Sequence, residues 1–124
     1  MCGVFGFILA PGSEVSQKSI HSILNNFFKL SEKRGSDAAG LALMFGDTIE
    51  VFKRPGQAHQ VIGSNEYRDF VEGFIKSAFE QASNNREAPP IIAIGHSRLV
   101  TNGAESASEN NQPVISAHSV GIHN

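Results

Sequence analysis

The sequence holds a single cysteine, at position 2. One thiol closes no intrachain disulfide and builds no cysteine-rich metal site, a usage that suits a reducing cytosol. The five histidines are scattered without a His-x-x-x-His spacing, so neither a metal nor another cofactor is expected. Net charge is only −2, and no block of like charge occurs, which leaves no electrostatic footprint for nucleic acid or an anionic membrane surface. No apolar run approaches the roughly 18–20 residues needed to span a bilayer. The apolar start Val4 to Ala10 has no basic segment before it and stops at Pro11-Gly12, so it does not read as a signal peptide. What remains is the expectation of a soluble, cytoplasmic protein. At 124 residues, 40% hydrophobic and 18% charged, it is at most one globular domain.

Gly3 to Ala10, closed by Pro11-Gly12, predicts a strand buried on both faces, with Cys2 at its very start. Ser16 is a candidate N-cap for a helix reaching about Glu32. Ile20, Ile23, Leu24, Phe27 and Phe28 fall on one face of a 3.6-residue period, and Lys33-Arg34-Gly35 supplies the stop. Leu41 to Phe45, the turn Gly46-Asp47 and Thr48 to Arg54 predict a hairpin. A second amphipathic helix is predicted from about Asn65 to Ser83. Its stripe of Tyr67, Phe70, Val71, Phe74, Ala78 and Phe79 reads as core rather than as a cofactor contact. Ile91 to His96 predicts another buried strand. The polar stretch from Ser97 to Pro113 is long for a connector, and such loops are often functional. Two short strand pieces are expected around Ala117-His118-Ser119. This order of elements favours an α+β fold.

Cys2 carries the most chemistry. Removal of the initiator methionine would leave a thiol and an α-amino group on one residue. An α-amine titrates at about 7.7–8.0 and a thiol at about 8.5, so nucleophile and base would both be poised near neutral pH. A cysteine at position 2 by chance is the alternative, and the downstream motifs decide between them.

Cys2-Gly3-Val4-Phe5-Gly6 opens the chain. Arg34-Gly35-Ser36-Asp37-Ala38-Ala39-Gly40 follows, then Gly95-His96-Ser97-Arg98-Leu99-Val100-Thr101-Asn102-Gly103, then Gln112-Pro113, and His123-Asn124 stands last. In this order the segments resemble the class II glutamine amidotransferases, whose glutaminase domains are N-terminal nucleophile hydrolases. The resemblance runs the length of the chain, 1–124. It implies the first part of an αββα sandwich, two antiparallel sheets between helical layers, cut after His123-Asn124.

The resemblance implies that Cys2 attacks the side-chain amide of L-glutamine to give a glutamyl thioester and ammonia. The α-amino group of Cys2 would accept and return the proton. Only a form lacking Met1 would then be active. Arg98 matches the arginine that grips the substrate α-carboxylate, a contact a planar guanidinium makes with two parallel charged hydrogen bonds. A surface arginine in a loop is the alternative. Thr101 and Asn102 match positions near the substrate, although a loop hydroxyl capping a turn would serve Thr101 equally. Asn124 matches the asparagine that donates to the developing oxyanion. Arg34, Gly35, Asp37, His96 and Gly103 match positions that support the site, with Arg34 and Asp37 expected as a local ion pair. A papain-like pairing of Cys2 with His96 or His123 is compatible with composition alone.

Leu99 and Asn102 depart from the glucosamine-6-phosphate synthase branch, which has tryptophan and histidine there. The stretch from Thr101 to Pro113 is similar to the amidophosphoribosyltransferase branch, and the branch is left open. In the family a separate synthase domain takes the ammonia; neither it nor the aspartate that binds the substrate α-amino group is in this sequence. Two other readings stand beside this one: a related amidohydrolase acting on another amide, and a catalytically inactive interaction module of the same fold.

Overall fold

The computed structural model describes residues 1–85, 87–100, 107, 109 and 111–123. Strand β1, Gly3–Leu9, leads into helix α1, Gln17–Ser31, and a 3₁₀ turn at Glu32–Arg34. Strands β2, Ala38–Phe45, and β3, Thr48–Pro55, form a hairpin. Helices α2, Ala58–Ile62, and α3, Asn65–Ser83, precede strand β4, Ile91–Arg98. Two short strands, β5 at Val114–Ile115 and β6 at Val120–Gly121, close the described chain.

Local chemistry accounts for the helix ends. Ser16 Oγ accepts the Ser19 N–H at 3.1 Å, satisfying one of the donors that every helix start leaves open. Ser64 does the same for α3, accepting the Tyr67 N–H at 3.2 Å. The β2–β3 turn places Gly46 at φ 58°, left-handed backbone that costs glycine little.

β1, β4, β2 and β3 lie in that order in one antiparallel sheet. Helices α1 and α3 cover one face with Ile20, Leu24, Phe28, Tyr67, Val71 and Ile75, packed on Leu41, Leu43 and Ala93 of the sheet. Phe5 meets Phe28 edge to face at 4.8 Å, and Tyr67 stands edge-on to both Phe28 and Phe52. The architecture is mixed, helices on an antiparallel sheet, and belongs to the α+β class.

β1 departs from its expected burial. Val4 and Ile8 are 48% and 71% exposed, while Phe5, Phe7 and Leu9 turn toward the core. The cause is topological. β1 is an edge strand of this sheet, and its side chains alternate between the helix-covered face and the opposite one. The two central strands, β4 and β2, are the ones buried along most of their length.

Two further differences are local. β2 begins at Ala38 rather than Leu41, so the glycine-rich motif itself enters the sheet. The single-turn helix α2 has too few residues to display a period, and the sequence gives no sign of it.

Candidate active site

The C-terminal end of β4, His96-Ser97-Arg98, is where the elements converge. In the β1–β4 ladder Gly3 lies opposite Ser97 and Val4 opposite His96, which brings Cys2 beside the last residues of β4. The half-buried Cys2 Sγ donates to the Leu99 carbonyl at 3.8 Å. A thiol one residue before an anchored strand has its backbone direction fixed by that strand.

Packing explains why the strand runs so close to α1. A Cβ on Gly3 would overlap the Ser31 carbonyl oxygen. Beneath it, Ser31 Oγ donates to the Phe28 carbonyl at 3.0 Å, so Ser97 Oγ–H is the donor of the 2.6 Å hydroxyl pair between Ser97 and Ser31. Both serines are buried, and this pair ties the end of α1 to the end of β4.

The Arg34 to Gly40 motif forms the other wall. The Asp37 N–H donates to the Arg98 carbonyl at 2.8 Å, and the Asp37 carboxylate accepts the Val100 N–H at 2.7 Å. The Asp37 carbonyl accepts the Gly56 N–H at 2.8 Å, which fastens the end of β3 as well. Gly35 packs its α-carbon on the Ser97 to Leu99 backbone, where any Cβ would collide with main-chain atoms. The expected ion pair between Arg34 and Asp37 does not form. The Asp37 carboxylate is engaged by a backbone amide, and Arg34 Nη2 instead reaches Met1 Sδ at 3.3 Å.

Arg98 is 8% exposed, so it is no surface arginine. Its Nη1 donates to Asn111 Oδ1 at 2.8 Å. Asn111 is itself buried, and its backbone carbonyl accepts from Lys53 Nζ at 2.9 Å. Neither Asn111 nor Lys53 was singled out from the sequence. A lone lysine in an alternating strand carries no signal, because its reach to residue 111 exists only after folding.

His96 lies one register position deeper, between Val4 on β1 and Gly40 on β2. It is 1% exposed, and its Nε2 has no hydrogen-bond partner among the described residues. Burial pushes its pKa below the usual imidazole value, with the charges of His123 and Arg98 adding to this and the His123 backbone working the other way. It is therefore held neutral. Gly40 carries residues 112 and 113 directly on its α-carbon, since a Cβ there would overlap the Gln112 carbonyl oxygen. The Gln112 side chain accepts the His123 N–H at 2.6 Å, which brings the end of the described chain to the same region.

A smaller tie supports the Arg34 loop. Glu32 accepts the His59 N–H at 2.6 Å and faces His59 Nδ1 at 2.9 Å, linking the 3₁₀ turn to α2. Burial raises the Glu32 pKa, but the His59 hydrogen bonds and charge outweigh it and hold the carboxyl below the ordinary 4.5.

Of the residues expected at the site, Cys2, Gly35, Asp37, His96 and Arg98 come together, while Arg34 points to the terminus. Thr101, Asn102, Gly103 and Asn124 lie outside the described residues. Among the described residues there is no group of three or more His, Cys, Asp or Glu side chains placed to hold a metal ion. No described helix is long and apolar enough to cross a membrane.

No protein-family model matches the chain. The chain is similar to the amidophosphoribosyltransferase of Mycobacterium bovis, 31% identical over 114 residues that cover 92% of this chain and 17% of that protein. It is 27% identical over 124 residues to the glutamine–fructose-6-phosphate aminotransferase (isomerizing) of Helicobacter pylori, covering 100% of this chain and 17% of that one. The enzyme of the same name from Chlamydia caviae is 29% identical over 119 residues, which are 96% of this chain and 15% of the relative. The chain thus spans 15–17% of the length of these relatives. Their two kinds are the two branches that the sequence motifs resemble, and at about 30% identity over most of this chain both are its homologues.

Proposed function

We propose that the chain is the nucleophile-bearing part of a glutamine amidotransferase domain that hydrolyses the side-chain amide of L-glutamine. The observation that carries this reading is the meeting of Cys2 and the buried Arg98 at one end of β4, with Gly35 and Asp37 packed against them. A thiol and a guanidinium at the same strand end suit an amino acid amide: one group meets the reacting carbonyl, the other the carboxylate.

The step begins once the Met1–Cys2 peptide bond is cut, freeing the α-amine of Cys2. Cys2 Sγ adds to the δ-carbonyl carbon of glutamine, and its proton passes to that amine. The amine returns the proton to the amide nitrogen as the C–N bond breaks, so ammonia leaves and a γ-glutamyl thioester remains. Water then adds to the thioester, the thiol recovers its proton, and glutamate departs. Asn124 serves the developing oxyanion in this scheme, and Thr101 and Asn102 the substrate. Arg34, Gly35, Asp37, His96 and Gly103 hold the surrounding backbone. The ammonia goes to an acceptor on a synthase domain or subunit outside this chain, in a reducing cytosolic setting. The complete domain is an αββα sandwich of the N-terminal nucleophile type, of which residues 1–124 are the first part.

The test is alkylation of Cys2 by a glutamine-mimicking electrophile on a preparation of known intact mass, with ammonia release measured in parallel. Labelling that glutamine protects supports the reading. Full activity with Met1 retained, or labelling that glutamine does not slow, sinks it.

A further inference from the structure

Arg98 is held by a chain of contacts that begins two strands away. Lys53 on β3 lies opposite Gly40 of β2, and Gly40 lies opposite His96 of β4. From there Lys53 Nζ donates to the Asn111 carbonyl at 2.9 Å and to the Pro113 carbonyl at 3.3 Å. The Asn111 backbone is thus fastened to β3, while its side chain meets Arg98 on β4 at 2.8 Å. Asn111 is 1% exposed and its contact with Arg98 is buried, while the one with Lys53 is part-buried.

We propose that Asn111, fixed by Lys53, is a positioning residue that sets the plane of the Arg98 guanidinium for the carboxylate of the amide substrate. The inference rests on the amidohydrolase reading above. A guanidinium is planar, so holding one Nη fixes where the remaining donors point. The choice of acceptor matters too. A carboxamide oxygen orients the guanidinium without placing a negative charge against it, whereas a carboxylate at the same point would compete with the substrate for the same cation. Asn111 thus contributes orientation to Arg98 without itself contributing a neutralising charge.

Asn111→Ala removes the contact, and Asn111→Asp keeps an acceptor while adding charge. Both should raise the KM for glutamine, by roughly tenfold for the alanine and further for the aspartate, with kcat changed much less. A purely structural role would lower the yield of folded protein and leave KM alone. Lys53→Met should move KM in the same direction by a smaller factor, because the Asn111 side chain remains. The second readout needs no turnover. In ¹⁵N spectra the two Nη groups of Arg98 should be distinct in the parent protein and should coalesce in Asn111→Ala. An unchanged KM in folded Asn111→Ala and Asn111→Asp overturns the proposal, as do Arg98 resonances already coalesced in the parent. If the parent released no ammonia from glutamine, the amidohydrolase reading would fall, and the ¹⁵N spectra alone would still decide whether Asn111 fixes Arg98. Should the alanine variant not fold, the near-isosteric aspartate carries the kinetic comparison.

Discussion

Asp37 and Arg98 are joined main chain to main chain, the Asp37 N–H on the Arg98 carbonyl at 2.8 Å, and the Asp37 carboxylate reaches past Arg98 to take the Val100 N–H at 2.7 Å. The acid does not act as a counter-ion to the Arg34 of its own motif. It splints the chain where β4 ends and the site begins.

That role separates two substitutions. Asp37→Asn keeps an oxygen for the Val100 amide and should cost less than about 1 kcal/mol, whereas Asp37→Ala leaves that amide without its acceptor and should cost about 1–3 kcal/mol. Urea denaturation of the two variants measures the difference. Equal losses would show that charge, and not the acceptor, is what matters at position 37.

Gly35 and Gly40 are intolerant for a steric reason. Each presses its α-carbon on backbone of another segment, Ser97 to Leu99 for Gly35 and the Gln112 carbonyl for Gly40. Backbone cannot rotate aside as a side chain does. Gly35→Ala and Gly40→Ala should each destabilise the fold by about 1–3 kcal/mol or more. Gly73→Ala, on the open face of α3 with nothing near its α-carbon, is the control and should be neutral or stabilising.

His96 makes stability depend on pH. Its folded-state pKa lies below the unfolded value of 6.5, chiefly through burial, so the unfolded chain binds the proton first. The stabilisation is complete above that value and declines as pH falls through 6.5 toward the folded pKa. Glu32, also depressed, adds a second decline below 4.5. Denaturation curves at pH 7.5, about one unit above the histidine value, and at pH 5.5, about one unit below it, should differ for the parent. They should differ less for His96→Gln; an equal pH slope in that variant would assign the titration to another group.

For Arg98, the expected signature of carboxylate binding is a KM effect. Arg98→Lys retains the charge but loses the planar fork, so the KM for glutamine should rise by about tenfold or more while kcat moves far less. Steady-state ammonia release checks this, and an unchanged KM would remove Arg98 from the substrate contact.

The sequence made the large elements legible because each repeats a physical period or ends on a chemical signal. Ser16 caps α1 and Asn65–Ser83 forms α3, as the serine and the aromatic spacing predict. The same reasoning over-buried β1, since an apolar run looks alike whether one face or two are covered, and only topology reveals that Val4 and Ile8 lie open. At the end of β4, motif spacing pointed to Cys2, Asp37 and Arg98, which the fold brings together. It misjudged the partner of Asp37, because sequence proximity to Arg34 suggested a charge pair while folding delivered a backbone amide. Lys53 and Asn111 were invisible for a related reason: 58 residues separate them, and nothing local marks either.

β1 hangs from the described sheet by one ladder, that with β4, and its far side meets no other strand there. Deuterium uptake should therefore run in two tempos along Gly3–Leu9, with alternate amides slow where they bond to β4 and fast where they face outward. The strand that carries the thiol is joined to its sheet by a single seam, so a substitution that loosens Ile91–Ser97 should disturb Cys2 without ever touching it.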